Sequence, residues 1–118
     1  MRKSVLVALF AMMASPVFAY TAVKDEAQFR SLIEGKSLSI FLYGLSLNVQ
    51  QNGTITGKAV GSPITGSWSW NDGYFCRDMK WGSREIEYNC QLVEYNGSNR
   101  MRFTTDQGAG DSADFRLK

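Results

Sequence analysis

The chain has 118 residues, no histidine, and 13 Lys and Arg against 11 Asp and Glu, a formal net charge of +2. That length suits one domain with a modest core. The near-neutral balance argues against nucleic acid or an anionic membrane surface as partner, since both are recognised first through positive charge. The lack of histidine excludes Ser-His-Asp and Cys-His catalytic machinery in any chain order.

The first residues read as an export signal. Arg2 and Lys3 supply charge, Val5 to Met13 is an unbroken apolar run, and Ser15-Pro16-Val17-Phe18-Ala19 ends in small residues suited to cleavage. The run is shorter than the roughly 20 residues a spanning helix needs. Residues 1–19 are therefore expected to be removed, leaving 20–118 as one domain in a bacterial periplasm or outside the cell, with no membrane span. Arg2 and Lys3 leave with the signal, so the remaining basic residues balance the 11 acidic ones. In that oxidising setting Cys76 and Cys90 are expected to form a disulfide. The loop they close is worth about 3 kcal/mol in the chain-entropy picture. They lack C-x-x-C spacing and histidine partners, which argues against a redox pair or a zinc site.

In chain order, Lys24 to Glu34 reads as the single helix. Asp25 and Gln28 have capping-box spacing, Phe29, Leu32 and Ile33 make an apolar stripe, and Gly35 provides a stop. Three apolar residues make a narrow stripe, so the helix is expected to lean on a sheet. The period then changes to two. Leu38, Ile40 and Leu42 alternate with Ser39, Phe41 and Tyr43, and Leu45, Leu47 and Val49 repeat the pattern. Asn52-Gly53, Asp72-Gly73 and Asn96-Gly97 separate further strand-like runs and favour hairpin turns at positive φ. The fold class is all-β: a small antiparallel up-and-down meander or barrel of about eight strands with one N-terminal α-helix. Barrel closure would remove exposed edges.

Two-residue turns make the registers testable. At Asn96-Gly97 such a turn sets Leu92 opposite Met101 and Cys90 opposite Phe103, turning Ile86, Tyr88, Cys90 and Leu92 inward and Glu85, Glu87, Asn89 and Gln91 to water. At Asp72-Gly73 it sets Trp70 opposite Phe75 and Trp68 opposite Arg77. Trp68, Trp70, Phe75, Met79 and Trp81 then share one face while Cys76 takes the other. A cross-strand disulfide needs both cysteines on one face, so these two readings conflict. Either a bulge between Cys76 and Cys90 restores the tryptophans to the interior, or the helix covers a second apolar face. Ala113, Phe115 and Leu117 give the last strand its inner face.

No catalytic set emerges, and no metal or cofactor site. Asp78 is the acid that the disulfide register turns inward, near Tyr88 and Ser67, which would allow a buried acid. Asp106, Asp111 and Asp114 flank glycines, but their spacing matches no calcium loop. Gly108-Ala109-Gly110 is a fragment of a nucleotide motif without the strand and helix it requires. The binding candidates are the aromatic residues Trp68, Trp70, Trp81 and Tyr88, with Arg77 as a cation–π partner for Trp68. They suit a small apolar or aromatic ligand, or an envelope protein acting as partner. The alternatives are a periplasmic inhibitor or stabiliser acting by protein contact through the Trp68, Trp70 and Trp81 face, and a small enzyme using Asp78 as acid.

Gly66-Ser67-Trp68-Ser69-Trp70, Asp72-Gly73-Tyr74-Phe75-Cys76-Arg77, Asn89-Cys90-Gln91 and Arg102 to Asp111 together resemble a family of small exported proteins from α-proteobacteria. The likeness spans most of residues 20–118 and implies a miniature lipocalin-like barrel. Members sometimes carry the label dihydrodipicolinate reductase. That enzyme resembles a nucleotide-binding α/β protein with a catalytic histidine segment, and this chain has neither feature.

Overall fold

The computed structural model describes residues 19–118. The signal-peptide reading therefore lies outside the described residues, apart from Ala19.

Among the described residues the chain forms nine antiparallel strands and one helix. They are β1 (Thr21–Val23), α1 (Glu26–Ile33), β2 (Leu38–Ile40), β3 (Leu45–Val49), β4 (Thr54–Ala59), β5 (Ser62–Asn71), β6 (Tyr74–Trp81), β7 (Arg84–Tyr95), β8 (Arg100–Thr104) and β9 (Ser112–Leu117). From β2 to β9 each strand pairs with the next, and β2 closes the ring on β9 through Leu38 opposite Leu117. The result is an eight-stranded up-and-down barrel. Strand β1 lies outside the ring and pairs with the end of β7, Val23 opposite Val93.

Period-two alternation supplies the core. Leu47, Val49, Ile55, Ile64, Trp68, Phe75, Val93, Met101, Phe103, Phe115 and Leu117 are all buried. Helix α1 adds Phe29 and Ile33 and closes one end of the barrel. Phe29 sits at the centre of an aromatic cluster. Its ring lies 4.9 Å from Trp70, 5.3 Å from Phe75, 5.4 Å from Trp68 and 6.4 Å from Phe103, centroid to centroid. The Asp25 side chain makes no capping bond, so the helix is held by this packing and not by the expected box.

The expected turn at Asp72-Gly73 forms with both residues at positive φ, 52° and 85°, and sets Trp70 opposite Phe75 and Trp68 opposite Arg77. The turn at Asn96-Gly97 is longer than expected. Asn96 Oδ1 accepts hydrogen bonds from the backbone N–H groups of Ser98, Asn99 and Arg100, and the Asn96 N–H donates to Arg100 O. Tyr95 therefore faces Met101, and Val93 faces Phe103. This pairing is three residues away from the one a two-residue turn implies. An odd shift exchanges faces, so Gln91 and Val93 point inward while Tyr88, Cys90 and Leu92 do not.

That shift, together with the expected bulge between Cys76 and Cys90, removes the conflict between the cysteines and the tryptophans. Cys76 and Cys90 are directly opposed, joined as a disulfide, on the outer wall, and Trp68, Trp70 and Phe75 point inward on the same strands. The bulge lies where β6–β7 pairing passes from Arg77 opposite Asn89 to Met79 opposite Ile86. Its extra residue lies on β7, toward the open end from the disulfide, and keeps Ile86 paired with the inward-facing Met79.

Strand β2 is shorter than its alternation suggests. After Ile40 the chain enters a single tight turn, Phe41–Tyr43, closed by Gly44 in the left-handed region with its N–H donating to Phe41 O at 3.0 Å. Leu42 therefore does not reach the core: Phe41 and Leu42 are 92% and 87% exposed.

Candidate functional site

The meander places the β3–β4, β5–β6 and β7–β8 loops at the end that α1 covers. Arg30 marks that end: its Nη1 donates to Gln51 O at 2.7 Å. The β2–β3, β4–β5, β6–β7 and β8–β9 loops surround the other end. There the lumen contains a cavity of about 260 Å³. Phe75 and Phe103 of the aromatic cluster line it together with Leu38, Leu47, Val49, Ile55 and Phe115. Thr105 and Asp111 from the β8–β9 loop, and Ser112 at the start of β9, stand at the mouth.

Two polar side chains interrupt the apolar lining. Arg77 and Gln91 are each only 8% exposed. Gln91 faces Phe75, and Arg77 is the next inward residue on β6, so the two lie diagonally adjacent on the inner wall. Arg77 Nη1 donates to the backbone oxygen of Glu87 at 2.6 Å. The ion pairs among the described residues are Arg30–Glu26, Lys80–Glu85 and Arg102–Asp114, so no carboxylate lies within 4 Å of Arg77. Burial pushes the guanidinium below its ordinary proton affinity, and the charge of Asp78 offsets part of that. No polar side-chain atom of the described residues is sealed away without a partner. The parts of Arg77 and Gln91 not bonded to protein therefore open onto the cavity they line.

The sequence-derived candidates separate. Trp68 is buried in the aromatic cluster, its Nε1 donating to Gln50 O at 2.8 Å. Trp70 packs under α1, and its Nε1 donates to Lys24 O at 3.3 Å. Trp81 is half-buried, and its Nε1 donates to Ala59 O at 2.9 Å. All three indoles donate to backbone oxygens and do not form an exposed platform. The cation over the Trp68 ring is Arg30, at 4.8 Å, and not Arg77. Trp68 leans toward the plugged end, whereas Arg77 reaches toward Glu87 at the open end. Tyr88 is on the outer wall, 60% exposed, beside the disulfide, where the Cys90 sulfur lies 3.5 Å from its hydroxyl.

Asp78 shares the outward phase of Cys76 and is exposed, accepting a hydrogen bond from Ser67 Oγ at 2.9 Å. Its expected inward placement came from turning the disulfide inward. The three C-terminal aspartates do not converge. Asp114 pairs with Arg102 at 2.7 Å, and Asp106 exchanges two hydrogen bonds with the Asn89 side chain at 2.9 Å each. Sequence reasoning missed Gln91, which the wrong register turned to water. It also did not connect the alternating Leu38, Leu47, Val49, Ile55 and Phe115 with a cavity.

Comparison with protein-family models, with curated proteins and with solved structures finds no match. The fold and its lumen therefore carry the functional reading.

Proposed function

We propose that the protein is an exported, non-enzymatic carrier or binding protein that holds one small apolar ligand in the barrel lumen. The observation that carries this reading is the cavity of about 260 Å³, apolar in most of its lining, plugged by α1 at one end and framed by loops at the other. Core packing ordinarily leaves few voids larger than a water molecule, so a space of this size is more than packing leaves, and it lies just under the volume usual for small-molecule sites. The cross-strand disulfide supports export, because such bonds persist in oxidising compartments. Among the described residues no helix is long and apolar enough to cross a membrane. The sequence likeness to small exported α-proteobacterial proteins supports the same placement.

The test is native mass spectrometry of protein isolated gently from a bacterial periplasm, beside its denatured mass. Extra mass in the native spectrum, lost in a Leu47→Trp variant that fills the lumen, is the expected result. A bare protein under conditions that retain known ligands in comparable barrels would count against it. A denatured mass starting at Tyr20 and short by two hydrogens checks export and oxidation together.

A second reading, contact with another envelope protein, is favoured by the turn Phe41–Tyr43, whose apolar side chains project from the open end. The tryptophans assigned to such a contact from sequence are occupied in the barrel wall. A photoreactive residue at position 42 that crosslinks to one defined protein in intact cells would support this reading; crosslinking only to solvent or to itself would oppose it.

A further inference from the structure

We infer that the lumen ligand is a small amphipathic acid: an apolar body with one carboxylate, the acid group received by Arg77 and Gln91. This rests on the lumen being the ligand site and adds the chemical class of the ligand.

A buried cation is costly unless an opposite charge accompanies it. Arg77 is buried, and the protein supplies no carboxylate within 4 Å of it among the described residues. The acids on the strands and loop around it are otherwise placed. Asp78 is on the outer wall with Ser67, Glu87 offers its backbone oxygen, Asp106 is held by Asn89, and Asp111 is exposed at the mouth. A bound carboxylate would supply the missing charge.

The donors suit that group. The Glu87 oxygen engages Nη1 and fixes the plane of the guanidinium, leaving other N–H groups in a fork that matches two carboxylate oxygens. Gln91 adds an amide donor on the same wall. The apolar part of the ligand has Leu38, Leu47, Val49, Ile55 and Phe115 to lie against. A cavity of about 150 Å³ accepts benzene, so the 260 Å³ here corresponds to about ten heavy atoms, the size of octanoate.

The experiment is calorimetric titration of the disulfide-bonded protein and of Arg77→Gln with octanoate, 1-octanol and octylamine. Octanoate is expected to bind the unmodified protein about ten- to hundredfold more tightly than octanol, the range for a buried charge-assisted contact. Arg77→Gln should bring octanoate down to the octanol level and leave octanol unchanged. If octanol binds as well as octanoate, or octylamine binds best, the acid assignment falls while the lumen reading stands. If none of the three binds, the lumen reading fails and the assignment goes with it. Should Arg77→Gln fail to fold, pH decides on the unmodified protein. Octanoate binding must weaken as the solution is acidified through the ligand's own carboxylic-acid range while octanol binding holds; parallel behaviour overturns the assignment.

Discussion

Cys76 stands directly opposite Cys90, with the disulfide on the outer wall of the barrel. Because faces alternate, the residues beside them, Phe75, Arg77 and Gln91, must point into the lumen. The covalent bond thus holds the register that builds the candidate site, close to the bulge where that register changes.

Replacing both cysteines by serine is expected to cost about 3 kcal/mol through the unfolded chain's regained freedom. The midpoint of urea unfolding should fall accordingly, and any lumen ligand should bind more weakly, because β6 and β7 can then slip across the bulge. An unchanged midpoint would show that the ring of strand pairing alone fixes this register.

Phe29→Ala is expected to destabilise the protein by about 3–5 kcal/mol, the range for removing a fully buried aromatic ring. The ring touches Trp68, Trp70, Phe75 and Phe103 together, so the loss is shared by α1 and the barrel core. For a domain of this size that is a large part of the total stability. Equilibrium denaturation followed by tryptophan fluorescence measures it; a loss under about 1 kcal/mol would mean that α1 does not plug the barrel.

Arg77→Met should leave the empty protein as stable as before or more so, since a lone buried cation is replaced by an apolar chain that fits the lining. The folded protein binds the Arg77 proton less tightly than the unfolded chain does, so this penalty is present throughout the ordinary pH range. It is relieved only as pH rises into the strongly alkaline region where the guanidinium could deprotonate. Thermal unfolding at neutral pH tests this, and a clear drop in midpoint would assign Arg77 a structural role instead.

Gly66→Ala should be destabilising by about 1–3 kcal/mol, the usual cost of overpacking. A Cβ at Gly66 would run into the backbone oxygen of Asp78, and one at Gly57 into that of Ser46. Both glycines lie on the inner wall, where the strands coil tightly to close the ring. By contrast, Phe41→Ser and Leu42→Ser should change stability by less than about 0.5 kcal/mol, since neither side chain is packed. Chemical denaturation of the three variants in parallel makes the comparison.

Local chemistry was enough for much of the fold. Asp72-Gly73 adopts its turn because both residues tolerate positive φ, and the tryptophan register follows from two residues of loop. Phe29 and Ile33 announce the buried stripe of α1, and alternation in Ala113, Phe115 and Leu117 announces the inner face of β9. Two cysteines behind an export-like segment announced the disulfide. The tertiary structure decided the rest. Asn96 satisfies three backbone donors in a longer loop, and that odd shift, with the bulge in β7, turned Gln91 inward and Tyr88 outward. Closure of β2 on β9 and the fit of α1 into one end depend on contacts distant in sequence, so no local pattern signals them. The cavity and the lone cation in its wall exist only once that ring is closed, because a lumen belongs to eight strands together and to no segment of the chain by itself.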